Sequence, residues 1–124
     1  MKTVYQRTES DCGVAALAML ADVSYEQALE FLRGSFRHTR IISSGKILAG
    51  VTHFGRTPLG DRCIRIGERQ LCDLDHNALL RGVLIEGQRK FGHWAIWDCF
   101  DQTIRDPYAY MLPFETLGLL EVSW

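Results

Sequence analysis

The sequence predicts an α+β fold, with helices in the first half of the chain and an antiparallel sheet in the second. Up to about Phe54 the chain is rich in Ala, Leu and Met and in residues that start helices. From Cys63 onward it breaks into short branched or aromatic segments separated by Gly and Asp. Composition completes the argument: 124 residues, 47% hydrophobic and 10% aromatic, can bury one core and are too apolar for intrinsic disorder. No repeat, low-complexity run or Pro/Ser-rich linker divides the chain, so residues 1–124 are expected to form a single domain.

Val4-Tyr5 has the chemistry of a short first strand. Residues from about Asp11 to Ala21 contain no Gly or Pro after Gly13 and are apolar on nearly every side. That pattern predicts a helix inside the domain. Ser24 followed by Gln27 spells a capping box, and Ala28, Leu29, Phe31 and Leu32 supply one apolar face for a second helix ending near Gly34. Arg33, Arg37, His38 and Arg40 then form a basic cluster, read as a solvated surface. Ser43 or Ser44 caps a third helix through about Phe54, with Ile47, Leu48 and Val51 inward and Gly55 beyond its end. The expected strands are Cys63-Ile64-Arg65-Ile66, Val83 to Glu86, His93 to Asp98 and Thr103-Ile104-Arg105.

Several function classes are excluded early. Fourteen Lys and Arg against 15 Asp and Glu leave a formal charge of -1, which offers no electrostatic footprint for nucleic acid or an anionic membrane. The longest apolar stretch, Gly13 to Ala21, is too short to span a bilayer, and Met1 to Arg7 lacks a signal-peptide core. The expectation is a soluble, cytoplasmic protein with no membrane insertion. Cys12, Cys63, Cys72 and Cys99 are then expected as reduced thiols.

One constellation carries chemistry. A cysteine nucleophile acts as a thiolate, and the first turn of a helix stabilises that charge through unpaired N–H groups and the helix dipole. Cys12, opening the most apolar helix, stands at such a place; the alternative is a buried structural thiol. His93, in Gly92-His93-Trp94-Ala95-Ile96-Trp97-Asp98, sits at the open end of a strand. Asp106 closes Thr103-Ile104-Arg105-Asp106 before Pro107. A hairpin turn centred between Cys99 and Phe100 places His93 directly across from Asp106, where a carboxylate can fix the imidazole's tautomer. A turn centred between Asp101 and Gln102 pairs Asp106 with Trp97 instead, leaving Asp98 as a fallback on the opposite face of the strand. Gln6, six residues before Cys12, can join the Cys12 N–H in stabilising an oxyanion.

Gln6-x5-Cys12-Gly13, with Asp11 before the cysteine and Ala15-Ala16-Leu17-Ala18-Met19-Leu20 after it, resembles the start of the bacteriocin-processing peptidases. These are papain-like cysteine enzymes that cut leader peptides after a double glycine, often fused to an exporter. The resemblance continues through Ser24-Tyr25, Ser43-Ser44-Gly45, Gly92-His93 and Asp106-Pro107, in the family's order. It implies a papain-like fold whose nucleophile helix packs on an antiparallel sheet. It also implies Cys12 as nucleophile, His93 as general base, Asp106 as orienting group, Gln6 in the oxyanion site, no cofactor, and a peptide or protein substrate with a Gly-Gly motif. Two features depart from the pattern: no transporter follows, and Gly82-Val83-Leu84-Ile85 stands where the family commonly has a proline-led strand.

The quartet is equally suited to a deamidase, amidase or acyl transferase acting on a protein side chain, and a binding module with a retired site is the third reading. The small size of the domain and the resemblance together imply a narrow groove beside Cys12, selective for glycine by excluding bulk. Cys63-x8-Cys72-x3-His76, with Asp73 and Asp75, lacks the close CxxC pair of zinc modules, so no metal is expected. Cys63 and Cys99 read as small strand residues, His38, His53 and His76 have no evident partner, and Trp94 and Trp97 fall on opposite faces of one strand.

Overall fold

The computed structural model describes residues 1–8, 10–33 and 42–124. Helices α1 (Cys12–Ala21), α2 (Tyr25–Leu32) and α3 (Ser44–His53) come first. Six strands follow: β1 (Thr57–Pro58), β2 (Ile64–Arg65), β3 (Asn77–Glu86), β4 (Arg89–Asp98), β5 (Thr103–Arg105) and β6 (Phe114–Ser123). All pair antiparallel in the order β1-β6-β3-β4-β5, with β2 also on β6, so the protein is α+β.

The helices form where local chemistry directs. Ser24 Oγ accepts from the Gln27 N–H while the Gln27 side chain accepts from the Ser24 N–H, which completes the capping box of α2. Ser43 accepts from the Lys46 N–H to start α3, and Gly55, at φ +90°, follows its end. Every residue of α1 from Gly13 to Ala21 is buried, as its all-round apolar surface demands. Helix α1 lies on one face of the sheet, where Leu79, Trp94, Ile96, Leu120 and Val122 share a core with its Val14, Leu17 and Leu20, and α2 packs behind it against α1 and α3. The opposite face carries a smaller cluster, Ala78, Leu80, Ala95, Trp97 and Leu119, roofed by Leu74. Trp94 and Trp97 thus face opposite sides of β4, in keeping with the period of two.

Four expectations are corrected. Val4-Tyr5 is not a strand: the backbone tie recorded there is one bond from the Gln6 N–H to the Pro107 carbonyl (2.9 Å), too few for a ladder. The β4–β5 turn takes neither anticipated centre, because Ile96 pairs with Arg105 and Asp98 with Thr103, which centres it between Phe100 and Asp101. Gln102, at φ +52°, takes up the reversal. Strand β6 lies outside the expected set although it is a central strand; Glu115, Thr116, Gly118 and Glu121 dilute its apolar residues, and burial between β3 and the β1/β2 edge sets its state. Cys63 and Cys99 lie just outside strand ends rather than within strands. Of the basic cluster, Arg33 is ion-paired with Glu30 at 3.1 Å, while Arg37, His38 and Arg40 lie outside the described residues.

Among the described residues no helix is long and apolar enough to cross a membrane. All four cysteines are free thiols. His76 meets Glu121 (Nδ1 to Oε2, 3.2 Å), and among the described residues no three His, Cys, Asp or Glu side chains converge to hold a metal ion.

Candidate active site

Cys12 is the first residue of α1. Behind it the helix is fixed in the core, so the thiol is held at the protein's inner edge but stays partly accessible. Gly13 permits this placement: a Cβ there would lie 2.9 Å from Ile42 Cβ, and Ile42 is itself pinned by a bond from Trp94 Nε1 to its carbonyl (2.9 Å).

Among the described residues, neither the Cys12 nor the Gly13 backbone N–H has an acceptor; the first intrahelical bonds run from Val14 and Ala15 to the Asp11 carbonyl. Asp11 occupies the N-cap position but makes no capping bond. Its carboxylate turns backward instead. Oδ2 accepts from the Arg7 N–H (2.9 Å) and the Tyr25 hydroxyl, and Oδ1 accepts from the Thr8 N–H (2.9 Å). Asp11 is only 4% exposed. Burial raises its pKa, yet the bonds from Tyr25, Arg7 and Thr8 prevail and hold it below the ordinary carboxylate value.

His93 lies on β4 opposite Gly82 of β3. Its Nε2 is 2.6 Å from Asp106 Oδ1. In the observed register Asp106 extends β5 to the position across from Ala95, so it reaches His93 as a diagonal neighbour rather than a direct one. Asp106 is fixed in turn by an Asx turn, its Oδ1 accepting the Tyr108 N–H at 2.8 Å, as an Asp-Pro pair favours. The rings of Phe114 and Tyr108 stand edge-on to the imidazole at 5.8 and 6.4 Å. Space for Phe114 exists because residue 82 is glycine: a Cβ there would lie 2.1 Å from the Glu115 carbonyl oxygen and 2.6 Å from the Phe114 ring.

Cys12 and Asp106 both act on His93. Burial alone would lower the imidazole's pKa, but the hydrogen bond to Asp106 and the nearby Cys12 and Asp106 groups raise it to about 9. Since Nε2 is engaged by Asp106, Nδ1 is the ring nitrogen left for the thiol. Cys12 and His93 line the same lobe of the cleft, and Asp106 bonds the imidazole.

Gln6 takes a different position from the one expected. It lines the cleft with His93, its Nε2 donates to the Thr8 carbonyl (2.8 Å) rather than being left free, and its Oε1 is buried without a partner among the described residues. Asp98, the fallback, is 1% exposed and bonded to Arg105 (3.1 Å), away from the imidazole. Two groups absent from the expected site belong to it structurally. Tyr25 holds Asp11, and Tyr108 holds Asp106; Asp106-Pro107 signals the second, whereas nothing local to Tyr25 signals the first.

The cleft has two lobes that share Phe91, Gly92 and His93. One, about 610 Å³, is walled by Cys12, Ile42, Val83, Trp94 and Leu117, with Arg81 at its rim. The other, about 330 Å³, is lined by Gln6, Glu86, Arg89 and Tyr108. The lobe beside Cys12 is lined mainly by apolar side chains. No family model, curated protein or solved structure matches the chain.

Proposed function

We propose that the protein is a papain-like cysteine hydrolase that cleaves a peptide bond through Cys12, His93 and Asp106. The observation that carries this reading is a partly accessible thiol at an uncapped helix N-terminus sharing an imidazole with a carboxylate. Such an assembly has little to do in packing and much to do in acyl transfer.

With its pKa near 9, His93 carries a proton at neutral pH, and the form of Cys12 that attacks is the thiolate beside that imidazolium. The Cys12 sulfur bonds to the carbonyl carbon, and the oxygen takes up the electron pair near the N–H groups of Cys12 and Gly13, which have no acceptor among the described residues. His93 then passes its Nδ1 proton to the leaving nitrogen as the C–N bond breaks, which leaves a thioester. Now neutral, it takes a proton from water as the hydroxyl attacks that thioester, and the acid departs with the thiolate restored. No step needs a cofactor. The apolar lobe beside Cys12 suits the acyl portion of a peptide, and the resemblance to leader peptidases makes a Gly-Gly junction the first sequence to try.

Intact-mass analysis of peptides with a Gly-Gly, Gly-Leu or Gly-Phe junction tests the reading. Two fragments are expected from wild type and none from Cys12→Ala or His93→Ala, a loss of at least about 10³-fold. A one-dalton gain without chain scission would mean side-chain deamidation instead, and equal turnover by Cys12→Ala would remove the nucleophile from the mechanism.

A further inference from the structure

We infer that Asp11 is a positioning residue: by refusing the cap of α1 and gripping the preceding loop, it keeps the Cys12 and Gly13 amides free and holds the Gln6 segment against the site. The inference rests on the hydrolase reading, since those amides matter only if an oxyanion forms beside them.

An Asp at the start of a helix ordinarily folds its carboxylate over the second or third amide of the first turn. Here that would place an anion where the substrate's oxygen must develop its own negative charge. Three donors prevent it. The Arg7 and Thr8 amides and the Tyr25 hydroxyl occupy both carboxylate oxygens from the far side. Tyr25 cannot easily release its bond: it is 8% exposed, anchored in the first turn of α2, and overlaid by the Arg7 guanidinium 4.0 Å from its ring centre. Arg7 is tied in turn to Glu26 at 2.5 Å. The same grip folds residues 6–8 toward α1. Gln6 then reaches the Pro107 carbonyl with its own N–H, one residue past Asp106. One buried carboxylate thus couples the nucleophile helix, the Gln6 segment and the Asp106 turn.

The assignment makes a demand that simple structural support does not. Thiol activation depends on His93, whereas oxyanion stabilisation depends on the amides that Asp11 leaves bare, so the two should separate in a variant. Asp11→Asn is the sharpest change, since only its single amide oxygen can accept, one side of the loop grip is lost, and the side chain becomes free to turn that oxygen over the helix. Tyr25→Phe removes one donor of three and serves if the first variant does not fold. Each is measured with the peptide that wild type cleaves fastest, and with the aldehyde and alcohol made from its acyl half. Only the aldehyde forms a tetrahedral adduct.

Asp11→Asn is expected to lower kcat per alkylatable Cys12 at least about tenfold and to weaken the aldehyde in step, with Tyr25→Phe showing a smaller loss of the same kind. Alcohol binding and the rate of Cys12 alkylation should stay within about twofold of wild type. Unchanged kcat per active thiol would overturn the inference, as would a parallel fall in alcohol binding and alkylation, the mark of plain structural damage. Wild type that cleaves no peptide would remove the hydrolase reading and this inference together, whereas active wild type with an equally active Asp11→Asn removes this inference alone.

Discussion

Strand β4 meets two carboxylates, and the two are put to opposite uses. In the middle of the strand, rather than at the open end expected of it, His93 is bonded to Asp106, which is 22% exposed. At the strand's last residue, Asp98 is 1% exposed and bonded to the Nε and Nη2 of Arg105, with Asp101 completing the cluster. A guanidinium stays charged at every accessible pH, so the Asp98 station is a fixed charge pair, and its job is to lock the β4–β5 turn. An imidazole can give up its proton, so the Asp106 station can change state. Burial and ion pairing are present at both; the partner's ability to titrate, together with access to a cleft, separates a structural carboxylate from a chemical one.

The two stations should respond oppositely to the same substitution. Asp106→Asn is expected to reduce kcat/KM by about 10² to 10⁴-fold, through loss of the imidazole's fixed tautomer, with little change in thermal midpoint. Asp98→Asn is expected to cost about 1–3 kcal/mol of stability, because Arg105 loses its buried partner and keeps only Asp101, while kcat per folded molecule is preserved. Denaturant titration beside steady-state kinetics reads both. A variant pair that loses stability and turnover in equal measure would erase the distinction.

Acidity sharpens it further. His93 is raised from 6.5 to about 9 on folding, so its contribution to stability is fully present below pH 6.5 and is lost as pH rises through 9. The full shift corresponds to about 3 kcal/mol. Unfolding curves at pH 6.5 and 9.5 should therefore show wild type losing its advantage over His93→Ala across that window. Nuclear magnetic resonance titration should find the His93 pKa lower in Cys12→Ala, where the thiol's hydrogen bond and charge are gone. Equal values in the two proteins would separate Cys12 from the imidazole. The smallest expected effect is a ranking of thiols: Cys12 should be alkylated at least about tenfold faster than Cys63 near neutral pH, since burial pushes the Cys63 thiol up to about 11. Peptide mapping after brief labelling reads the order.

What was legible in the sequence follows from how local each signal is. The helices announce themselves through Ser24 with Gln27, Ser43 with Lys46, and an unbroken apolar run after Gly13, all settled within a turn or two of chain. The meeting of His93 with Asp106 is legible only as far as a short hairpin limits it. Both residues are named correctly, yet the turn centre falls between the two anticipated ones and the contact is diagonal. Strand β6 escapes because its apolar residues gain meaning from neighbours far away in sequence, Leu79 and Leu80 across the ladder. The reversal of Asp11 escapes for the same reason. An Asp at a helix start ordinarily caps it, and it takes Tyr25, arriving from the next helix, together with the Arg7 and Thr8 amides to turn it away.

The site also has an order of assembly. Cys12 leaves the ribosome early, and α1 is bounded by local interactions, whereas His93 is reached only after most of the chain has been made and β4 has paired with β3. Contacts so distant in sequence close late, because the loop between them must be ordered first. Until then, Cys12 lacks the imidazole that would activate it. On the hydrolase reading, a nascent or partly folded chain would therefore carry Cys12 without its imidazole, and cleavage would wait for the completed sheet, which would protect the unfinished protein and its neighbours.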